Sequence, residues 1–233
     1  MIARGYVEAG ARVYISSRKA EVCDKVASEL SKLGSCVSIP ADLSTEAEVN
    51  RLAGEIAARD PKVHILVNNA GANWGAPYEQ YPDSAWDKIF AINVKAIFHL
   101  TRALTPQLEK AAEPGDPARV INIGSVDGLS VPLLETFAYS TTKAGVHMLT
   151  RHLAKRLAAK GITVNAIAPG PFESQMMAAT LEQFGDAIAA SCPLGRIGSP
   201  EDMAGVAIYL ASRAGAYVTG AIIPVDGGIS TTK

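Results

Sequence analysis

The sequence predicts a doubly wound α/β fold, a parallel sheet with helices on both faces, and two observations predict it. Six short runs rich in β-branched residues recur along the chain, and most are separated by stretches whose apolar residues repeat at three-to-four spacing. Strand, helix, strand at this pitch requires crossover connections, and such connections build parallel sheets. No internal repeat, low-complexity tract or linker interrupts the 233 residues, so residues 1–233 are read as a single domain.

The elements follow in order. MIARGYVEAG reads as the back half of an amphipathic helix, with Ile2, Tyr6 and Val7 apolar and a glycine stop at Gly10, and RVYIS (12–16) is the first visible strand. KAEVCDKVASELSKLG (19–34) is a helix with an apolar stripe of Val22, Val26, Leu30 and Leu33 ending on Gly34. CVSI (36–39), the helix TEAEVNRLAGEIAAR (45–59) and VHILV (63–67) come next. Helix 84–111 carries Ile89, Ile92, Ile97, Leu100 and Leu104, and the turn EPGDP (113–117) leads into RVINI (119–123). Helix 138–160 carries Val146, Leu149, Leu153 and Leu157 and precedes ITVNAI (162–167). SPEDMAGVAIYLAS (199–212) opens with Ser199 as N-cap, Pro200 at the first helical position and acidic residues in the first turn, before the last strand AIIPV (221–225).

Composition excludes several function classes. Lys plus Arg number 22 against 23 Asp plus Glu, a net charge of -1 that gives no bulk attraction to nucleic acid or anionic membrane. The expected partner is a small molecule. Cys23, Cys36 and Cys192 form no CxxC pair, and His64, His99, His147 and His152 have no second ligand at useful spacing, so no metal is expected. Reduced thiols and the lack of a targeting or membrane-spanning run indicate a cytoplasmic protein.

In doubly wound folds ligands bind beyond the carboxyl ends of the strands. Here those positions hold NNAG (68–71), GSVDG (124–128) and PGPFES (169–174), small residues that let a flat ligand approach the backbone. YSTTK places Tyr139 and Lys143 four residues apart near the start of a helix, so both side chains project from one face. Free tyrosine titrates near ~10, and using it as an acid or base near pH 7 requires ~4 kcal/mol of preferential stabilisation of phenolate. A lone YxxxK arises by chance on many helices, but Ser125, just after a strand, can bring a hydroxyl to the same crevice.

NNAG, Asn93 in FAINV, Ser125 in INIGS, the YSTTK pair, NAIAPG (165–170) and the closing VDGG (225–228) stand in one order, and with them the chain resembles the short-chain dehydrogenase/reductases over nearly its whole length. The resemblance implies a Rossmann-type fold and a division of labour. Tyr139 is the proton donor to a ketone, Ser125 orients its oxygen, Lys143 lowers the tyrosine's pKa and binds the nicotinamide ribose, and Asn93 holds a water in the proton relay. It also implies cofactor contacts at Arg18, Asp42, Leu43, Asn69, Gly71, Pro169, Gly170, Phe172 and Ser174, and a substrate lid at about 172–198. The strand at 12–16 runs into Ser16, Ser17 and Arg18 with no carboxylate to repel a 2′-phosphate, so NADP(H) is the expected cofactor. The pattern is most like β-ketoacyl reductases, including the rhamnolipid-synthesis type, which implies a 3-oxoacyl thioester substrate. Met176, Met177, Leu181, Phe184 and Ile188 are apolar enough to cover an acyl chain or to be ordinary core. The family's helices equivalent to 84–111 and 138–160 pair across a two-fold axis, which implies a homotetramer or homodimer.

One part of the family pattern does not appear. The resemblance places Met1 inside the helix that follows a first strand and a glycine-rich TGxxxGxG turn, whose N–H groups hold the cofactor pyrophosphate. A strand there would lie between 12–16 and 63–67, and its absence is read as truncation at the amino end. The alternative reading is a dehydrogenase-like binding or structural subunit without cofactor binding.

Overall fold

The computed structural model describes residues 1–232. Helices α1 (Ile2–Glu8), α2 (Ala20–Leu30), α3 (Glu46–Arg59), α4 (Asp83–Phe90), α5 (Ala96–Ala111), α6 (Phe137–Leu157), α7 (Ala178–Ser191) and α8 (Pro200–Ala211) surround strands β1 (Val13–Ile15), β2 (Cys36–Ser38), β3 (Ile65–Asn68), β4 (Ala118–Ile123), β5 (Ile162–Pro169) and β6 (Ile222–Val225). All pairings are parallel, as the crossovers dictate. The ladder is split: β1 pairs with β2, and β3-β4-β5-β6 form a second sheet. Among the described residues no ladder joins β1 to β3, and this break falls where the family pattern has its first strand.

Local chemistry accounts for the element ends. At α8, Ser199 Oγ accepts from Asp202 N while the Asp202 carboxylate accepts from Ser199 N, a reciprocal capping box with Pro200 behind it. Thr45 caps α3 in the same position by accepting from Glu48 N. Gly10 ends α1 at φ +86°, where its N–H reaches Val7 O and Ala11 N–H reaches Tyr6 O.

On one face of the larger sheet Val120 and Val164 meet Leu52, Leu104 and Leu108 from α3 and α5. On the other, Ile121 and Ile167 meet Tyr6, Met203, Ala207 and Leu210 from α1 and α8. α1 lies so close to α8 that a Cβ on Gly5 would stand 2.7 Å from Ala204 Cβ, and Tyr6 Oη donates to Ala207 O at 3.0 Å.

Three sequence expectations are corrected. The stripe assigned to α2 is wrong: Val22, Val26 and Leu33 are exposed, and Cys23, Ala27 and Leu30 are buried, because the small face lets α2 approach β1 and β2 closely. The strand expected at 63–67 runs Ile65–Asn68. Helix 84–111 is broken by a π-helical turn, Ala91–Lys95, that carries Asn93 inward. In addition, most apolar residues read along helices 84–111 and 138–160, such as Ile89, Leu100, Leu104 and Val146, fill the chain's own core. Trp86, Phe90, Phe98 and Met148 are the large apolar side chains those helices leave exposed.

Candidate active site

The ends of β3 and β4 and the first turns of α6 meet in one crevice. Ser125 stands one residue past the end of β4, after Gly124, is buried, and its Oγ accepts from Asp127 N at 3.1 Å, which starts the 3₁₀ turn Val126–Gly128. α6 begins at Phe137, so Tyr139 and Lys143 sit on its first turns and face that loop. The Lys143 ammonium is 5.5 Å from the centroid of the Tyr139 ring and donates to Ile123 O at 2.7 Å. Burial pushes the Tyr139 phenol above its ordinary value, with the Ser125 hydroxyl pulling it down and the Asp127 charge pushing it up. Burial likewise lowers Lys143 to about 8, against the pull of Asp127. The phenol is therefore held as the acid, the form a carbonyl reduction consumes.

Asn93 is buried on the π-helical turn. Its side chain donates to Ala72 O at 3.0 Å and Thr142 Oγ1 at 3.0 Å and accepts from Ala72 N at 2.8 Å. The amide thereby fastens the NNAG segment to α6. A Cβ on Gly71 would stand 3.3 Å from Asn93 Oδ1 and 3.7 Å from Lys143 Nζ, so the bare glycine face adjoins the ammonium.

A second polar network, missed in the sequence, lies beneath. Asn68 Nδ2 donates to Asn122 Oδ1 at 2.8 Å and to Thr101 Oγ1 at 3.2 Å, and Asn122 Nδ2 donates to Thr150 Oγ1 at 2.9 Å. It ties β3 and β4 to α5 and α6, and its strand members stand inside the NNAG and INIGS motifs, which do not reveal the pairing. Asn165 bridges β5 to the approach of β6 through Val218 O and Ala221 N, and Gly170 packs on Asp226, where a Cβ would stand 2.7 Å from its Cα.

The expected cofactor contacts divide into two groups. Arg18 and Asp42 lie beyond the ends of β1 and β2, close enough that Arg18 helps hold the Asp42 carboxyl below its usual range after the dominant Ser44 hydrogen bonds. Asn69 and Gly71 lie beyond β3, and Pro169, Gly170 and Ser174 beyond β5. The Phe172 ring is buried in the core against Gly198, which leaves its backbone for a ligand, and Leu43 is half-buried with one side packed against the other core cluster. A cleft of about 890 Å³ between α7 and residues 195–197 is lined by Glu173, Leu181, Glu182, Asp186, Arg196 and Ile197 among others. Ser174, Ala178 and Ala189 also line it, and Met176, Phe184 and Ile188 are not among its walls.

Two observations test whether a dinucleotide fits. Lys143 carries three N–H donors, is almost wholly buried, and has Ile123 O as its hydrogen-bond acceptor among the described residues, so spare donors face the bare side of Gly71. At the other sheet, Ser16 Oγ at the end of β1 is withdrawn from water with no partner among the described residues. Both fit a polyhydroxylated ligand spanning the strand ends.

A family model described as enoyl-(acyl carrier protein) reductase matches residues 1–230. The chain belongs to the short-chain dehydrogenase/reductase family. Among its relatives in that family, the rhamnolipids biosynthesis 3-oxoacyl-[acyl-carrier-protein] reductase of Pseudomonas aeruginosa is 50% identical over 230 residues, covering 98% of this chain and 90% of the relative. The Pseudomonas aeruginosa RhlG/NADP active-site complex superposes with a TM-score of 0.95 at 48% identity, over 98% of this chain and 90% of that one. A galactitol 2-dehydrogenase (L-tagatose-forming) of Cereibacter sphaeroides is 35% identical over 97% of this chain and 88% of its own length.

Proposed function

We propose that the chain is an NADP(H)-dependent oxidoreductase that reduces the ketone of a 3-oxoacyl thioester to a secondary alcohol. The observation that carries this is the buried, protonated Tyr139 held beside Ser125 and Lys143, together with relatives named for 3-oxoacyl-acyl-carrier-protein reduction.

NADP(H), when bound, supplies the hydride. Arg18 and Asp42 hold its adenosine end, with Arg18 on the 2′-phosphate. Asn69, Gly71, Pro169, Gly170, Ser174 and the backbone of Leu43 and Phe172 line its path, and Lys143 with Tyr139 takes the nicotinamide ribose. The 233 residues contain no TGxxxGxG turn, so the fit rests on the two ends of the cofactor. Ser125 donates to the substrate oxygen and Tyr139 delivers the proton to it, relieving the negative charge that develops there. Lys143 places a positive charge next to the phenol as it gives up that proton. Asn93 holds the Ala72 segment in register with α6.

Residues 172–198 form a lid over the substrate, residues 1–233 work as one catalytic domain in the cytoplasm, and the exposed Trp86, Phe90, Phe98 and Met148 pair subunits in a homotetramer or homodimer. No helix among the described residues is long and apolar enough to cross a membrane. NADPH oxidation with acetoacetyl-CoA and longer 3-oxoacyl thioesters tests the reading. Turnover that Tyr139→Phe lowers by two orders of magnitude or more, with NADPH binding kept, is the expected result. Turnover only of cyclic or sugar ketones refutes the acyl substrate, and an unaffected Tyr139→Phe variant refutes the mechanism.

A further inference from the structure

A second tie joins the segment after β3 to α6 besides that of Asn93. Asn93 bonds Ala72 to Thr142, three residues beyond Tyr139. The other tie is Tyr81, half-buried, whose Oη accepts from Ala138 N–H at 3.2 Å and donates to Trp74 O at 3.2 Å. Ala138 stands immediately before Tyr139, so the two ties grip α6 on either side of the reacting phenol.

The start of α6 needs such a partner. The first N–H groups of a helix have no acceptor within it, and a side chain at the N-cap ordinarily supplies one. Here the N-cap is Thr136, whose side chain caps no α6 N–H; its hydroxyl donates to Leu134 O at 3.4 Å instead. Tyr81, 57 residues from Ala138 in the chain, takes over that task. Its ring also meets the Phe137 ring edge-on, with 5.3 Å between centroids and 82° between planes. Glu135 secures the approach to the helix: Ala76 N–H donates to its carbonyl and Tyr78 N–H to its carboxylate, both at 3.3 Å. The Glu135 bonds stop short of α6, and the Tyr81 bond enters its first turn.

We propose that Tyr81 is a positioning residue acting through Tyr139: its hydroxyl fixes the first turn of α6 against the Trp74 segment, and with it the place of the Tyr139 phenol relative to Ser125. The proposal rests on the ketoreductase reading and deepens it. Tyr81 exchanges no proton with the substrate, and its contribution is geometric. A reacting group misplaced by 1 Å loses about 10²-fold in rate, while substrate and cofactor still bind through their other contacts. Loosening one helical turn therefore costs turnover far more than affinity.

Tyr81→Phe removes both hydrogen bonds and keeps the ring against Phe137 and Trp86, so the fold is retained. For NADPH-dependent reduction of acetoacetyl-CoA, kcat should fall roughly tenfold or more, with KM and the NADPH dissociation constant changed less than about threefold. In the protein without cofactor, amide hydrogen exchange at Ala138 should quicken about tenfold, while Val146 and Leu149 in the middle of α6 keep their rates. Thr136→Asn, added to Tyr81→Phe, offers an acceptor from the N-cap to the N–H of Ala138 two positions on, and should restore slow exchange and kcat together. Tyr78→Phe is the control. Its ring also packs on Phe137, at 5.7 Å, but its hydroxyl holds no hydrogen bond among the described residues, and neither quantity should change. Parental kcat in Tyr81→Phe overturns the proposal, as does a fall in kcat matched by an equal rise in KM or unaccompanied by faster exchange at Ala138. So does a low kcat that persists once Thr136→Asn has restored slow exchange. A parent protein that reduces no ketone refutes the ketoreductase reading instead, and the exchange rates still decide whether Tyr81 holds the turn.

Discussion

Alanine at Gly124 and at Gly128 probes how the Ser125 loop is seated, because the two new methyl groups meet different kinds of atom. Neither glycine has a positive φ, so space decides the outcome and backbone conformation does not. At Gly124 the methyl would stand 2.3 Å from His147 Nε2 and 2.8 Å from Cδ2, mainly a clash with one side chain. At Gly128 it would stand 2.6 Å from the Lys143 carbonyl carbon and 2.7 Å from Ala144 N, with His147 Cε1 at 2.9 Å, a clash mainly with helix backbone. Overpacking of this kind costs about 1–3 kcal/mol. For a chain of this length that lowers Tm by roughly 2–12 °C. His147→Ala alone opens a cavity and costs roughly 2–5 kcal/mol. Combined with Gly124→Ala it also removes the clash, so the double variant should be about 1–3 kcal/mol more stable than the two single effects added together. Combined with Gly128→Ala it relieves little, since the backbone contacts remain, and the coupling should be at least ~1 kcal/mol smaller. Urea titration of the parent, three single and two double variants measures both cycles. Equal coupling in the two, or strict additivity at Gly124, would refute this account of the loop.

Lys143→Met should stabilise the protein at pH 7. Its ammonium, at about 8 in the fold against 10.5 ordinarily, is penalised by burial, worth at most roughly 3 kcal/mol. Between pH 8 and 10.5 the folded chain has released a proton that the unfolded chain keeps, so the parent gains stability as pH rises and the advantage of methionine fades. Denaturation at pH 7 and 10 checks this, and no gain at pH 7 contradicts it. Arg18→Ala should weaken NADPH by roughly tenfold relative to NADH, the loss of one phosphate contact. Fluorescence titration with both cofactors measures the ratio, and an unchanged ratio removes Arg18 from the phosphate site.

The parts of the fold legible in the sequence were those set by local chemistry. Ser199, Pro200 and Asp202 announced α8 because a capping box is read within four residues. The face of α2 was misread because the buried side is chosen by close approach to β1 and β2, and Cys23 and Ala27 fit where Val22 and Val26 do not. At the site, Ser125, Tyr139 and Lys143 came from motif order, and the structure gathers them in one crevice. The engagement of Asn93 with Ala72 and Thr142 was not legible, since it depends on a π-helical turn that no residue pattern signals. The pairing of Asn68 with Asn122 is not legible for a related reason. Their value lies in facing each other across paired strands and reaching Thr101 and Thr150, a relation that exists only after β3 and β4 are in register.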